Sequence, residues 1–521
     1  MDIVKIFRNP TWNIAAALFL TAVAHGRASA GGVTVITHGF NSDVESWIIP
    51  MAEKMPGHAG FPGTQAGRYR LKISSPSSPA VATRLAGVAP MVSDSGEVFI
   101  CLDWSAVDGL FQASTTQVAQ LAVNALTDSL LTADTGGRPL VELPLHLIGH
   151  SRGASVATEM ARLLGQQGIW VDQVTTLDPY PVPLLGDAAV QIWRNVLFAD
   201  NIWQSFSGEA ITGQAVAGAY NRKLLSLGGG NDSAHSDVHL WYHGTVDPTT
   251  PATDTQATIG ESQRTTWWTA AEARGGLAGF HYSRLGGGDR LDPIMPAGVG
   301  TNRVRDGFNG AWNLGGDLVS NRTALASNSG LWPNVIRCQR TGTAAVVAGG
   351  AFDLAIHYQA GTSTSGTAGL TILLDPDANP WNGNEFPINA GTLARTGPNG
   401  VGFAEVPVNT ATTPTGTYRV AVRLADSIRE RVLYASSPVE IVAAHQPPSI
   451  QENTVRIEGG LLRFTVRGST GATLSVQAAQ NLVDWVEIST RIMSSDTWEF
   501  SDPDTAAYPA RFYRVGETAP P

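Results

Sequence analysis

A strand, a sharp turn and a helix are predicted in succession by the stretch Leu143-Pro-Leu-His-Leu-Ile-Gly-His-Ser-Arg-Gly-Ala-Ser-Val-Ala-Thr-Glu-Met-Ala-Arg-Leu-Leu-Gly165. The apolar run that ends at Ile148 is typical of a buried strand. The Ala-rich residues 154–164 have helical spacing and stop at a glycine. Between them, Gly149 and Gly153 flank Ser151 and permit a strained turn. This order places Ser151 at the end of a strand and the start of a helix, as a nucleophile elbow requires.

Short apolar runs alternate with segments of helical spacing over residues 31–310. This pattern predicts an α/β domain with a largely parallel sheet. Several of its short apolar runs end directly on polar residues. Four of these runs are interpreted as strands: 33–37, 98–102, 143–148 and 171–177. Ligands of open α/β sheets bind outside the carboxyl ends of the strands, so the polar residues there are candidates for a functional site.

Ser151 needs two partners before it can act as a nucleophile. A hydroxyl reacts poorly near neutral pH unless a histidine takes its proton and an acid orients that histidine. Asp178 follows the strand 171–177 on the sheet edge of Ser151, and Pro179 stops the strand directly after it. Asp200 ends the next apolar run and is the alternative, although it equally fits a solvated loop or a helix cap. We predict Asp178 as the acid.

Three histidines compete for the role of base in the segment Ala234-His-Ser-Asp-Val-His-Leu-Trp-Tyr-His243. His235 follows a Gly-rich stretch and is predicted to lie on a loop, where functional residues are often carried. His239 and His243 are four residues apart in an aromatic segment, which favours packing on a helix. We predict His235 as the base, with His239 and then His243 as alternatives. No Cys-rich or His-rich segment completes a metal site with them.

Acyl transfer also requires two hydrogen-bond donors for the oxyanion of the tetrahedral intermediate. Gly39 lets the chain turn directly after the strand 33–37, so that the Phe40 amide can face the site. Arg152 supplies a second amide from the start of the helix that follows Ser151. The predicted oxyanion hole therefore consists of the Phe40 and Arg152 amides.

These motifs resemble the lipases and esterases of the α/β-hydrolase superfamily, particularly the pancreatic-type lipases and their secreted bacterial relatives. The resemblance covers residues 31–245 and rests on Thr37-His-Gly-Phe40, Asp103-Trp104, Gly149-His-Ser-x-Gly153 and Leu177-Asp-Pro179. It implies an α/β-hydrolase fold, a nucleophile at Ser151, an acid at Asp178 and an oxyanion hole at the Phe40 and Arg152 amides. It leaves the choice among the three histidines open.

The first 30 residues have the pattern of a secretory signal peptide. Lys5 and Arg8 form a basic start, residues 14–24 form an apolar run, and Ala28-Ser-Ala30 has the small residues of a cleavage site. As a helix, the run is too short to span a bilayer core of about 30 Å. We therefore expect a secreted protein, extracellular or periplasmic, with no transmembrane segment after cleavage.

The net charge and the two cysteines indicate which partners, metal sites and disulfides the sequence favours. The formal net charge of −10 argues against nucleic acid, whose phosphates favour clustered Lys and Arg. The two cysteines, Cys101 and Cys338, lack the spacing of metal ligands and fall in different predicted domains. A disulfide between them is one alternative in an oxidising compartment, and unpaired buried thiols are the alternative we favour.

All-β segments are predicted after the α/β domain. Gly, Asn and Ser mark residues 311–334 as a linker. Short strands separated by turn residues predict an immunoglobulin-like β-sandwich over residues 335–445. Paired prolines begin a smaller β-module over residues 446–521. Both modules are similar to appendages of secreted bacterial enzymes, which implies contact with a polymer or surface, or a spacer role.

Two further segments leave alternatives open. Residues 375–385 place carboxylate and amide oxygens at alternate positions, which fits a calcium loop or, as we favour, a polar turn bonded to its own backbone. Residues 179–234 separate the predicted acid from the predicted base. They form either a lid or acyl-binding wall, or the remainder of the sheet with its helices.

The sequence thus predicts an α/β-hydrolase domain followed by two all-β modules, with no metal or organic cofactor. The predicted activity is hydrolysis of carboxylic esters, including lipids, through a Ser-His-Asp triad and an acyl-enzyme. A serine peptidase and a thioesterase with the same triad are alternatives. A non-catalytic protein that binds a polymer or surface is the alternative outside catalysis.

Overall fold

The computed structural model describes residues 31–518 except 60–64, 94–95, 232, 249–251, 254–256, 269–277, 286–321, 411–412 and 436. The predicted signal peptide, residues 1–30, lies outside the described residues, as does much of the predicted linker. The described chain forms two compact units, one up to residue 440 without 347–349, and the other over 441–518 with 347–349. Within these ranges, no helix combines the length and the apolar character needed to cross a membrane.

An eight-stranded sheet organises the first part of the chain. Its neighbouring strands run in the order β3-β2-β4-β1-β5-β6-β7-β8, and all pairs are parallel except β2 with β3. The strands are β1 (Gly32–Thr37), β2 (Gly67–Lys72), β3 (Val81–Ala86), β4 (Glu97–Asp103), β5 (Leu145–His150), β6 (Val171–Leu177), β7 (Val196–Trp203) and β8 (Tyr220–Lys223). The prediction of an α/β domain with a largely parallel sheet is confirmed.

Helices cover both faces of this sheet. They are α1 (Ile48–Ala59), α2 (Thr115–Thr127), α3 (Thr132–Thr135), α4 (Arg152–Gln166), α5 (Ala234–Val246) and α6 (Glu261–Trp267). One apolar core joins α2 and α4 to Val35 of β1, and a second joins α1 and α5 to Ile36 of the same strand. Because successive residues of a strand point to opposite faces, the two cores lie on opposite sides of the sheet.

Residues 179–234 supply the last two strands of the sheet, β7 and β8. This segment therefore completes the sheet, which is one of the two alternatives drawn from the sequence. Two short strands that follow α5, β9 (Ala252–Thr253) and β10 (Thr258–Ile259), pair with each other.

Two antiparallel sheets form the first all-β region. Their orders are β11-β13-β16 and β12-β19-β17-β14-β15, with β18 paired to β17. The strands are β11 (Asn334–Thr341), β12 (Ala345–Val347), β13 (Ala351–Gln359), β14 (Thr367–Asp375), β15 (Phe386–Ala394), β16 (Gly402–Asn409), β17 (Gly416–Ala425), β18 (Glu430–Tyr434) and β19 (Val439–Val442). Buried and exposed residues alternate along most of β13, as expected for a sheet with one face in a core.

Buried polar contacts hold this all-β region at the amino ends of the parallel strands. The Arg431 guanidinium donates to the carbonyls of Trp170 at 2.7 Å and Leu143 at 3.2 Å, which precede β6 and β5. Trp170 Nε1 donates to Gln359 Oε1 at 2.9 Å. Ser151 follows the carboxyl end of β5, so the all-β region is attached at the sheet edge opposite to Ser151.

The Asp- and Asn-rich segment 375–385 forms consecutive turns closed by its own side chains. The amides of Asp377, Asn379 and Trp381 each donate to a side-chain oxygen two residues earlier, at 2.9, 2.8 and 3.1 Å. Asn379 Nδ2 also donates to the Pro90 carbonyl. This is the polar turn that we favoured. In the described part of the chain, no group of three or more His, Cys, Asp or Glu is arranged to hold a metal ion.

The described part of the predicted linker packs against the α/β domain. Thr323 pairs with Trp193 in a parallel bridge, and Trp332 is buried in the core shared with α2 and α4. Both ends of the segment 322–333 therefore contact that domain.

Both cysteines are buried free thiols, Cys101 in β4 and Cys338 in β11. This outcome confirms the alternative that we favoured over a disulfide. Burial raises the pKa of each thiol to about 12, so both stay protonated near neutral pH.

The second unit is a small β-module. Two three-stranded antiparallel sheets, β20-β21-β24 and β23-β22-β25, enclose a core that includes Phe464, Leu474 and Phe500. Its strands are β20 (Ser449–Glu458), β21 (Leu461–Arg467), β22 (Thr473–Ala479), β23 (Val486–Ile492), β24 (Thr497–Asp502) and β25 (Phe512–Glu517).

Replacing Arg431 with Met should lower the free energy of unfolding by about 2–4 kcal/mol, because buried carbonyl groups lose charged donors. Urea unfolding followed by tryptophan fluorescence measures this change. Arg456→Met is the control, since Arg456 lies exposed in the second unit, and its midpoint should match the wild type. A wild-type midpoint for Arg431→Met would contradict the stabilising role of this contact.

Candidate active site

Ser151 lies at the sharp turn between β5 and α4 in a strained backbone conformation. Its φ of 57° and ψ of −124° are rare for a residue with a Cβ. The Ser151 amide donates to the Leu177 carbonyl at the end of β6, at 3.0 Å. The neighbouring strand therefore holds the turn in the geometry that a nucleophile elbow requires.

Three glycines around Ser151 are required by close approach of the backbone. A Cβ at Gly149 would lie 2.1 Å from the Gly153 carbonyl oxygen, and one at Gly153 would lie 2.4 Å from the His38 carbonyl oxygen. A Cβ at Gly39 would lie 2.6 Å from Ser151 Cβ. No side chain fits at such distances, so these glycines allow the turn after β1 and the start of α4 to meet at Ser151.

Asp178 and His235 form a buried hydrogen-bonded pair. His235 Nδ1 lies 2.6 Å from Asp178 Oδ2, and Asp178 follows β6 directly with a φ of 42°. The prediction that His235 lies on a loop is wrong, because it is the second residue of α5, which Ser233 caps. An ionised carboxylate only accepts hydrogen bonds, so Nδ1 carries the proton and Nε2 is left to accept one.

Three further donors fix the orientation of the Asp178 carboxylate. The Gln204 amide and the Gly213 amide donate to Oδ1 at 2.9 and 3.0 Å, and Gln204 Nε2 donates to Oδ2 at 2.9 Å. The chain that follows β7 therefore folds against the predicted acid. Sequence reasoning missed Gln204, because its contact with Asp178 joins two strand ends and leaves no local pattern.

His150 connects Ser151 to the helix that carries His235. Burial keeps the pKa of His150 well below its ordinary value, so its ring is neutral. His150 Nε2 donates to the His235 carbonyl at 2.8 Å, and the two ring centroids are 4.5 Å apart. Among the hydrogen bonds of the described residues, none joins Ser151 Oγ to the His235 ring. Catalytic hydrogen bonds of this kind often tighten only with substrate bound.

The alternative acid, Asp200, and the alternative bases, His239 and His243, are buried in contacts other than the Asp178–His235 pair. Asp200 is inside β7, where it accepts a hydrogen bond from Thr175 Oγ1 at 2.6 Å. His239 lies one turn after His235 and stacks on Trp47, with ring centroids 4.5 Å apart. Burial lowers the pKa of His239 to about 3 and that of His243 to about 4, so both rings are neutral near pH 7.

The two predicted oxyanion donors flank Ser151. Phe40 follows Gly39 in the turn after β1, and Arg152 is the first residue of α4. Considering the described residues alone, neither the Phe40 amide nor the Arg152 amide donates to another group of the protein. Both amides are thus available to an oxyanion.

His38 holds the turn that carries Phe40. Burial lowers the pKa of His38, and its neutral ring lies with Nδ1 2.9 Å from the Gly39 carbonyl oxygen. His38 Nε2 accepts a hydrogen bond from the Trp104 amide at 3.2 Å. The motifs at residues 37–40 and 103–104 therefore meet across β1 and β4.

Backbone strain is concentrated at the carboxyl edge of the sheet. Five non-glycine residues in the described ranges have positive φ, and four follow β1, β4, β5 or β6: Asn41, Phe111, Ser151 and Asp178. Such conformations persist only where the surrounding structure enforces them, and they cluster at functional sites. Two of the three predicted catalytic residues, Ser151 and Asp178, therefore lie where this strain is concentrated.

Exposed apolar side chains surround this edge of the sheet. Loops after β1, β4, β6 and β8 carry apolar side chains that are 45% to 89% exposed: Phe40, Leu110, Phe111, Leu184 and Leu225. We call these five residues the apolar rim. Where such side chains form a contiguous patch, they mark a binding site for an apolar ligand or partner.

No protein-family model matches this chain, and no curated protein matches it. The class of protein is therefore inferred from the geometry of Ser151, Asp178 and His235 and of the amides around them.

The hydrogen bond between His235 Nδ1 and Asp178 should give a proton NMR signal far downfield of the amide region, because it is short and charge-assisted. Asp178→Asn should abolish this signal. Asp200→Asn is the isosteric control and should keep it. The reverse pattern in these two variants would refute the pairing.

Proposed function

We propose that this protein is a serine hydrolase of the α/β-hydrolase superfamily that cleaves carboxylic esters. The observation that carries the proposal is the strained Ser151 turn, which adjoins the buried pair of Asp178 and His235. The free amides of Phe40 and Arg152 on either side of Ser151 supply the donors that acyl transfer needs.

In the proposed reaction, His235 takes the proton of Ser151 as Oγ attacks the ester carbonyl. Asp178 stabilises the imidazolium that results, and the Phe40 and Arg152 amides donate to the oxyanion. His235 then protonates the leaving alcohol. Water cleaves the acyl-enzyme by the same steps and returns Ser151 to its starting state.

The order of strands supports this proposal. β5, which precedes the nucleophile, lies between β1, which precedes the Phe40 turn, and β6, which precedes the acid. The three groups thus leave adjacent parallel strands at one edge, where open α/β sheets bind ligands. The all-β region is attached at the opposite edge, so it does not cover Ser151.

The apolar rim supports an ester with an apolar acyl chain as the substrate, rather than a peptide. An apolar chain gains free energy when it leaves water for such a surface. The signal-peptide pattern of residues 1–30 supports action outside the cytoplasm. The two antiparallel sheets of the first all-β region support its assignment to the immunoglobulin-like class.

A fluorophosphonate should label the folded protein covalently, and Ser151→Ala should abolish labelling. With nitrophenyl esters, Asp178→Asn should lower kcat by about 10⁴-fold, because the histidine loses its correct tautomer. His235→Asn should lower kcat at least as far, whereas His239→Asn is the matched control and should stay close to the wild type. Absence of labelling in the folded wild type would overturn the proposal in favour of a non-catalytic binding protein.

The value of kcat/KM should rise with acyl chain length from acetyl to octanoyl esters. Each buried methylene contributes about 0.8 kcal/mol, which corresponds to about a four-fold gain. Replacing Phe111 and Leu184 of the apolar rim with Ser should reduce this gain and leave the acetyl ester unaffected. Equal values of kcat/KM for acetyl and octanoyl esters would rule out an apolar acyl site. A parallel series of thioesters tests the thioesterase alternative, and a parallel series of anilides tests the peptidase alternative.

A further inference from the structure

The side chain of Arg152 is buried and hydrogen-bonded beneath the site. The residue is 1% exposed. Its Nε and Nη2 donate to the two carboxylate oxygens of Asp187, both at 2.7 Å. Nη1 donates to the Asp108 carbonyl at 2.6 Å, and Nη2 also donates to the Ala113 carbonyl at 3.1 Å. The guanidinium carbon lies 5.1 Å from the centroid of the Trp104 ring.

These contacts join three turns at the carboxyl edge of the sheet. Asp108 and Ala113 belong to the loop after β4, and Asp187 belongs to the loop after β6. The Asp108 carboxylate accepts a hydrogen bond from the Ser42 amide at 3.0 Å, in the turn after β1 that carries Phe40. One side chain therefore connects the start of α4 to the turn of the other predicted oxyanion donor.

We propose that the Arg152 side chain is a positioning residue for the oxyanion hole. This proposal rests on the proposed hydrolase function. The backbone of Arg152 supplies one donor, and its guanidinium fixes the place of that donor against Asp187. Through Asp108, the same guanidinium also fixes the turn that presents the Phe40 amide.

The ion pair of Arg152 and Asp187 is suited to holding the backbone amide of Arg152 in one place. A guanidinium bound to both oxygens of a carboxylate is fixed in distance and in angle, whereas an ammonium acts as a point charge. A buried ion pair adds little to net stability, because the loss of hydration offsets the attraction. An oxyanion donor acts only at about 2.7–3.1 Å from the oxygen it stabilises, so a small displacement of either amide slows turnover.

The test is Arg152→Lys, which keeps the charge and the backbone amide but loses the two-pronged contact. We expect kcat with a nitrophenyl ester to fall by about 10- to 100-fold, with KM within about two-fold of the wild type. The affinity of an arylboronic acid, which forms a tetrahedral adduct with the serine, should fall by the same factor as kcat/KM. Arg162→Lys is the matched control, since Arg162 also lies on α4 and binds both oxygens of a buried carboxylate, that of Glu159, at 2.6 and 2.8 Å.

A second variant distinguishes a positioning role of Arg152 from a role in folding. Arg152→Met combined with Asp187→Asn removes both charges and leaves no unpaired buried ion, and it should show the same kinetic pattern. Wild-type kcat and boronate affinity in folded Arg152→Lys would overturn the proposal. Loss of the thermal unfolding transition in both variants would assign the pair to folding and equally overturn it. A wild type that fluorophosphonate fails to label would instead refute the proposed hydrolase function.

Discussion

The register of three adjacent parallel strands is the constraint on which the site depends. Thr37 of β1 pairs with Gly149 of β5, and Gly149 pairs with Thr176 of β6. The three strands consequently end at one level, and the turns that follow them emerge side by side. A shift of one residue would turn side chains to the other face of the sheet and separate these turns.

The same arrangement explains how strained and polar groups are tolerated in a buried place. Ser151 and Asp178 both have positive φ, yet their amides donate to carbonyls of the next strand along the sheet, those of Leu177 and Ile202. The Asp178 carboxylate, which is fully buried, accepts from Gln204, Gly213 and His235. Satisfied hydrogen bonds thus offset the cost of burying charge and of holding rare backbone conformations.

The sequence predicted the local parts of this site and missed those that depend on distant partners. The run 171–177 was predicted as a strand and is β6, because its apolar and β-branched residues end cleanly at Asp178-Pro179. Asp200 ends an apolar run in the sequence, but β7 continues through it to Trp203, and Thr175 of the neighbouring strand donates to its carboxylate at 2.6 Å. Ser233 is a residue type that favours the N-cap of a helix, but the Gly-rich stretch before it favours a loop, so the start of α5 was missed. Similarly, no local pattern relates Arg152 to Asp187, which lies 35 residues further along the chain.

The attachment of the all-β region determines when, during synthesis, the α/β domain can complete its hydrogen bonds. Arg431 donates to carbonyls at residues 143 and 170, so the α/β domain receives these donors only after roughly another 260 residues have been synthesised. A chain cut near residue 333 would leave those carbonyls without Arg431 and expose the strand ends that it covers. The change from α/β to all-β structure is therefore not a boundary between compact units. A gene fragment that encodes the α/β sheet alone omits contacts that this sheet makes in the full chain.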